Sequence, residues 1–394
     1  MRRLALPDEI LMKVEKPARY IGGEYNSVMK DKDKVDVRFC MCFPDVYEIG
    51  MSHLGIQILY DMFNRREDTW CERVYSPWPD LDAEMREHDI PLFALESQDP
   101  IKDFDFLGIT LQYEMCYTNI LQVLDLAGIP LRTRDRKKGD TLVIGGGPCS
   151  YNPEPIADFF DIFYMGEGEV SYDALLELYK VYKHSDMTRE EFLIKVSNIP
   201  GLYVPELYEV TYKEDGTIAS FAPRFEDVPA TITKTVVMDH SKVSYPEKPV
   251  VSFMKLTQDR VVLEIMRGCI RGCRFCQAGM IYRPTRPKDV NLLKGYAEKM
   301  LASTGHEEIT FSSLSSSDYE ELPELTDCLI EKMDNEHVNI SLPSLRIDAF
   351  SLDVMSKIQD VKKSSLTFAP EAGTQRLRNV INKGLTKENI MDGA

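Results

Sequence analysis

No apolar run in this 394-residue sequence approaches the roughly 18 residues that a membrane-spanning helix requires. The N-terminus, Met1-Arg2-Arg3-Leu4-Ala5-Leu6-Pro7-Asp8-Glu9, meets a proline and two acids before a signal-peptide core forms. A soluble, cytoplasmic protein without membrane contacts is therefore expected. Positive charge is short: 47 Lys and Arg against 64 Asp and Glu leave a net charge of −17. That balance argues against bulk nucleic-acid binding, although a local basic patch could still read RNA. There is no repeat of fixed period and no low-complexity tract. Neither the nicotinamide fingerprint G-x-G-x-x-G nor the phosphate loop G-x-x-x-x-G-K-[ST] is present.

What is present suits a folded chain. Hydrophobic residues make up 43% and charged residues 28%, which excludes a disordered chain. At roughly 100–200 residues per domain, the length suggests two or three domains. Nine cysteines, an odd number, fit a reducing compartment with free or metal-bound thiols.

Residues 1–35 read as a polar lead-in. Over 36–182, strands are expected at 37–43, 91–95, 106–111, 141–144 and 162–165, with helices at 54–64, 81–88, 118–127 and 172–182. Strand then helix, repeated, predicts a doubly wound, Rossmann-like α/β domain. Residues 183–255 break the rhythm with a hairpin, 203–212 and 217–221 about the turn Asp215-Gly216, and then a Pro-punctuated connector. From 256 to 394 the rhythm returns, with strands at 261–265, 308–312, 338–342 and 365–368 and helices at 288–303, 322–335, 351–359 and 373–381. Val290, Leu293, Ala297, Met300 and Leu301 keep the spacing of one helix face. Four βα units fit here, whereas a closed eight-unit barrel needs roughly 250 residues. A partial (β/α) TIM-type barrel, cut short at its C-terminal end, is expected.

Directly after the strand at 261–265 comes Met266-Arg267-Gly268-Cys269-Ile270-Arg271-Gly272-Cys273-Arg274-Phe275-Cys276. The spacing is Cys-x3-Cys-x2-Cys in a Gly-containing loop. Full ligation of a [4Fe–4S] cluster takes four thiolates, so three leave one iron open for chemistry. A zinc knuckle would prefer Cys-x2-Cys pairs with a fourth Cys or His, and His240 and His306 lie about 30 residues away. The arginines at 267, 271 and 274 are expected to offset cluster charge. Cys40 and Cys42 share one face of a strand and read as core; Cys71, Cys116, Cys149 and Cys328 read as packing thiols.

This motif, with the aromatic Phe275 before its third cysteine, resembles that of the radical S-adenosylmethionine (SAM) superfamily. The resemblance implies that Cys269, Cys273 and Cys276 ligate the cluster and that SAM chelates the open iron. An electron from the reduced cluster then splits the sulfonium S–C5′ bond, giving methionine and a 5′-deoxyadenosyl radical. A reducing donor of flavodoxin or ferredoxin type is the partner so implied. Polar clusters follow the next three strands: Ser312 to Tyr319, Pro343 to Asp348, and Ala369 to Arg376. The resemblance places Glu371 near the ribose and Ser344 and Arg346 along the SAM pocket. Ser316, Ser317 and Asp318 stand where the family usually has Gly-Gly-Glu.

The earlier domain resembles the cobalamin (B12)-binding-like domain found ahead of many radical SAM cores. That domain carries Asp-x-His-x-x-Gly after its first strand; here the residues are Asp45, Tyr47 and Gly50, with Tyr in the His position. A phenol, with a reference pKa of about 10, is a poor cobalt ligand beside imidazole. Cobalamin would then bind without a protein axial ligand, or not at all. Gly145, Gly146 and Gly147 after a later strand let backbone approach a bulky ligand, or serve a tight turn. His53 reads as structural. Runs 17–25 and 264–284 further resemble uncharacterised radical SAM proteins with this N-terminal unit, which implies more barrel beyond Ala394. Cobalamin-assisted methyl transfer is the subclass so implied. Methylthiolation or another radical modification of RNA or protein, and a non-catalytic iron–sulfur or SAM-binding module, are the alternatives; the substrate stays open.

Overall fold

The computed structural model describes residues 4–333, 338–343, 345–348 and 368–393. The chain divides into two compact units. One comprises Met1–Val237, Ser244–Pro246 and Val250–Thr257; the other comprises Met238–Val243, Glu247–Pro249 and Gln258–Ala394.

In the first unit, β1 (Val37–Phe43), α1 (Leu54–Asn64), β2 (Thr69–Tyr75), α2 (Pro79–Glu87), β3 (Phe106–Thr110), α3 (Tyr117–Ala127), β4 (Leu142–Gly146) and β5 (Ile162–Tyr164) follow in order, all but β2 near expected positions. α4 (Tyr172–Lys183) and α5 (Arg189–Ser197) follow, then β6 (Leu202–Tyr203) and the antiparallel pair β7 (Tyr208–Tyr212) and β8 (Ile218–Pro223). The sheet order is β2-β1-β3-β4-β5-β6, with only β6 antiparallel. Strands buried on both faces read as unbroken apolar runs. In β1, Phe39, Cys40 and Cys42 are all fully buried, so the two cysteines are core.

Two expectations are corrected. The strand expected at 91–95 is instead a buried loop, whose only bridge joins Phe93 to Pro100. The missed strand is β2, buried at all seven positions although it carries Glu72 and Arg73. Those charges masked it, and the structure shows how they are tolerated. Glu72 accepts from Arg38 at 2.6 Å, while Arg73 donates to Glu96 at 2.6 Å and to Glu24 at 2.9 Å. The missed helix α5 begins at a capping box of Thr188 and Glu191. α1 begins at His53, whose Nδ1 accepts from the Ile56 amide at 3.2 Å.

In the second unit, β9 (Val261–Glu264), α6 (Val290–Thr304), β10 (Glu308–Ser312), α7 (Leu322–Met333) and β11 (Asn339–Ser341) form successive βα units. The strands make a parallel sheet in the order β11-β10-β9. α6 starts at Asp289, whose carboxylate accepts from the Asn291 and Leu292 amides, and it buries the five residues its spacing predicts. α8 (Gln375–Val380) and α9 (Lys387–Gly393) follow. The expected helix at 351–359 and most of the strand at 365–368 lie outside the described residues. No helix among the described residues is long and apolar enough to cross a membrane.

Arg73 is 2% exposed and held between two carboxylates. Glu96→Ala leaves that guanidinium half-paired and should destabilise the first unit by about 3–5 kcal/mol. A urea midpoint unchanged from wild type would show the ion triad to be dispensable. Burial also pushes the His53 imidazole down to about 4. Because an unfolded histidine titrates near about 6.5, the unfolded chain binds more protons between those values. Stability should therefore fall as pH drops from about 6.5 toward 4. His53→Asn keeps the helix cap and should flatten that slope in thermal melts across the range.

Candidate metal centre

β9 ends at Glu264, and the Ile265 amide still reaches the Ser312 carbonyl at 3.1 Å. The chain then turns into the cysteine loop. Met266–Arg267 pairs antiparallel with Arg286–Pro287, which closes the loop at its base. Gly268 makes the turn with φ +82°, where a Cβ would stand 2.6 Å from the Pro284 carbonyl oxygen and 2.7 Å from that of Tyr282. Only glycine meets both conditions.

Cys269, Cys273 and Cys276 are free and half-buried, whereas Cys40, Cys42, Cys71, Cys116 and Cys149 are buried. Backbone amides point at two of the loop sulfurs: Arg271 N lies 3.4 Å from Cys269 Sγ and Gly279 N lies 3.3 Å from Cys276 Sγ. Amide donors aimed at half-exposed thiols suit thiolate ligands, since hydrogen bonds to the sulfurs stabilise their charge. The donor set fits a three-cysteine iron–sulfur site.

The loop is gripped from a distant part of the chain. The Arg274 amide donates to Ile381 O at 2.9 Å, and its guanidinium donates to Val380 O at 2.6 Å. Asn382 Nδ2 donates to Gly272 O at 2.8 Å. Of the three arginines expected to offset cluster charge, two are matched by acids. Arg267 forks onto Glu264 at 2.9 and 3.1 Å, and Arg271 onto Asp318 through Nε at 3.0 Å and through Nη2. Arg274 alone makes no ion pair among the described residues, so the uncompensated positive charge is its own.

Arg271 also joins the loop to the rim of the sheet. Its Nη1 lies 3.6 Å from Asp348, which takes both arms of Arg346 at 2.9 Å. Ser317 Oγ accepts from the Arg346 amide at 3.1 Å. Glu371, in a left-handed conformation at φ 67°, pairs with Lys383 at 3.1 Å, and that ammonium lies 5.9 Å from the Phe275 ring centre. Burial opposes charge on Asp318 and Asp348, but Arg271 and Arg346 respectively outweigh it and hold both carboxyls below the usual range. Alternating carboxylates and guanidiniums beside the thiols complement a zwitterion. Ser316, by contrast, is fully buried and donates to Pro343 O at 2.9 Å, so it faces the fold. Ser344 lies outside the described residues. Asn382 and Lys383 were not singled out by the sequence, Asp348 only as part of a polar cluster and Arg271 only for its charge, because nothing local marks contacts such as Arg271 to Asp318 and Asn382 to Gly272, 47 and 110 positions apart.

In the first unit, the order β2-β1-β3 puts a topological switch point at the C-terminal ends of β1 and β3, where such sheets bind ligands. Asp45 follows β1, and its carboxylate accepts from the Tyr113 hydroxyl, which follows β3. Tyr47 turns inward: it is 2% exposed, and its hydroxyl donates to Glu24 at 3.0 Å. It therefore does not stand in for the cobalt-ligating histidine. Gly50 gives room to the Tyr75 ring, Gly145 to Leu111 and Phe160, and Gly147 to the Leu111 carbonyl at 2.9 Å. Of these glycines, Gly146 is the one where a Cβ would meet no tight contact, its nearest neighbour being Tyr164 Cβ at 3.8 Å. His53 is committed to its helix cap.

Comparison with known proteins bears on the family. The family model described as the N-terminal region of radical SAM proteins matches residues 55–205, and that of the radical SAM superfamily matches residues 263–394. The chain belongs to the radical SAM superfamily. It is 29% identical over 351 residues to an uncharacterised protein of Methanocaldococcus jannaschii, covering 88% of this chain and 63% of that one. A second protein of that organism, provisionally named a methylthiotransferase, is 24% identical over 140 residues, or 34% of this chain and 31% of that protein. Among solved structures, the fold is similar to that of the cobalamin-dependent SAM radical enzyme OxsB with aqua-cobalamin and SAM bound. The TM-score is 0.57 at 12% identity, covering 91% of this chain and 47% of that one. It is also similar to the radical SAM methyltransferase TsrM from Kitasatospora setae with tryptophan and a SAM analogue bound, at TM-score 0.53 and 13% identity, covering 90% and 64%. At these identities the likeness is one of fold. The chain spans less than two thirds of the length of each of these relatives.

Gly268→Ala combines a strained φ with a clash against two carbonyl oxygens. A residue forced into that region costs about 1–3 kcal/mol. Iron retained per chain after anaerobic reconstitution should fall sharply in this variant, while Gly295→Ala, whose Cβ meets open space, should retain wild-type iron.

Proposed function

We propose that this chain carries the cluster-binding part of an enzyme that cleaves SAM reductively. Its Cys269, Cys273 and Cys276 would hold a [4Fe–4S] cluster with one iron left to SAM. The observation that carries this reading is the half-exposed thiol triad with backbone amides directed at two of its sulfurs. When bound, the cluster supplies the electron that divides the sulfonium into methionine and a 5′-deoxyadenosyl fragment. The chain's own residues orient the substrate. Asp318 and Asp348 accept from the ammonium, Arg346 answers the carboxylate and Glu371 takes the ribose hydroxyls, with the exposed Phe275 ring near Lys383 at the same rim. Ser317 steadies Arg346 by accepting from its amide. A flavodoxin- or ferredoxin-type protein delivers the electron.

Methyl transfer assisted by cobalamin is the favoured subclass, supported by fold likeness to two radical SAM enzymes, one of them cobalamin-dependent and the other a methyltransferase. The corrin would sit at the switch point beside Asp45 and Gly146, with no cobalt ligand from Tyr47. Methylthiolation is the second reading, favoured by the partial likeness to the provisionally named methylthiotransferase.

Anaerobic reconstitution with iron and sulfide, then SAM and dithionite, should yield 5′-deoxyadenosine. Alanine at any one of the three cysteines should reduce the yield to background. A wild-type protein loaded with cluster that never releases 5′-deoxyadenosine would remove the enzyme reading. A corrin spectrum that does not persist after gel filtration with cobalamin would move methyl transfer out of first place.

A further inference from the structure

A second group of charges lies behind the thiol loop, in the second unit. His240, on the segment Met238–Val243, has a fully buried side chain, and its Nε2 lies 3.1 Å from Glu264 Oε2. The same carboxylate takes the Arg267 fork described above. Glu264 therefore stands between an imidazole and a guanidinium, at the end of the strand that leads into Gly268 and Cys269. The other charged groups that act on the imidazole are Lys288, 1% exposed, and Asp239, its neighbour in the chain. Burial holds the imidazole below its ordinary value against the pull of Glu264, so at neutral pH the ring is uncharged. Burial opposes charge on Glu264 as well, yet Arg267 and His240 outweigh it and keep the carboxyl ionised.

A buried imidazole is a costly filler. Neither ring nitrogen makes a well-directed hydrogen bond, in spite of the close approach to Glu264. An aliphatic side chain would fill the space without desolvating two nitrogens. The geometry that does set histidine apart is its polar edge, turned to a carboxylate that orients Arg267. Arg267 in turn pairs across to Arg286 at the base of the loop.

We propose that His240 is a positioning residue for the metal centre: through Glu264 it fixes Arg267, and with it the Gly268 turn that places Cys269. This inference rests on the cluster reading above, and the test separates the two. Hydrogen exchange over residues 266–276 is measured in the metal-free protein, and iron release to a chelator is measured in the reconstituted one. His240→Leu should open the loop to exchange and hasten iron release by about tenfold or more, as loss of an outer-shell partner does. His240→Gln, which keeps a donor for Glu264, should stay near wild type. Glu264→Gln should reproduce the leucine effect, and adding His240→Leu to it should change little further. Unchanged exchange over α6 and β10 controls for folding; if His240→Leu fails that control, Glu264→Gln and His240→Gln decide. Leucine and glutamine variants that behave alike, or a Glu264→Gln variant with wild-type exchange, would overturn the inference. A wild-type protein that takes up no iron overturns the cluster reading instead, and is seen independently of the exchange data.

Discussion

Three thiols in the span 269–276 leave the loop few side chains with which to hold itself, so its shape is imposed from outside. The Gly268 turn and the pairing of Met266–Arg267 with Arg286–Pro287 close its base. The residues that follow α8 grip its middle through Gly272 and Arg274. Ordering a residue's backbone costs roughly 1–2 kcal/mol. Here that cost is offset largely by contacts from outside the loop. The carboxylates of Asp318 and Asp348 are ordered by the same contacts, because Arg271, itself a loop residue, is their common partner.

Periodicity made most of the fold legible. β1 and α1 begin and end where alternating and helical spacing place them, and α6 buries the face that its apolar residues mark. The reading failed at β2, where Glu72 and Arg73 stand in a fully buried strand. Sequence patterns treat charge as a sign of solvent, and here the partners that neutralise it come from positions 24, 38 and 96. The apolar stretch at 91–95 failed in the opposite sense: it is buried, but as loop beside β2. Apolar content reports burial, and only backbone pairing decides strand.

The candidate site was legible to the extent that it is local. Cysteine spacing is a property of eight consecutive residues and needs no tertiary knowledge. The clamp made by Val380, Ile381 and Asn382, and the hub at Arg271, join residues far apart in the chain and left no local mark. In the first unit, motif position alone did not fix what each side chain does. Tyr47 occupies the place of a ligand yet serves the ion network at Glu24, and Gly145 and Gly147 make room for the domain's own side chains and backbone.

The unequal exposure of the nine cysteines has a consequence for how iron would be loaded. Burial drives the thiols of Cys40, Cys42 and Cys71 well up, and that of Cys149 up to about 11, so they remain protonated and shielded. Thiolate is the form that binds metal and that oxidants attack. Incoming iron and sulfide therefore meet a surface on which the loop sulfurs, with half-buried Cys328, are the reachable ones. The same exposure makes the loop thiols, with Cys328, the ones that an oxidant from solvent would reach first.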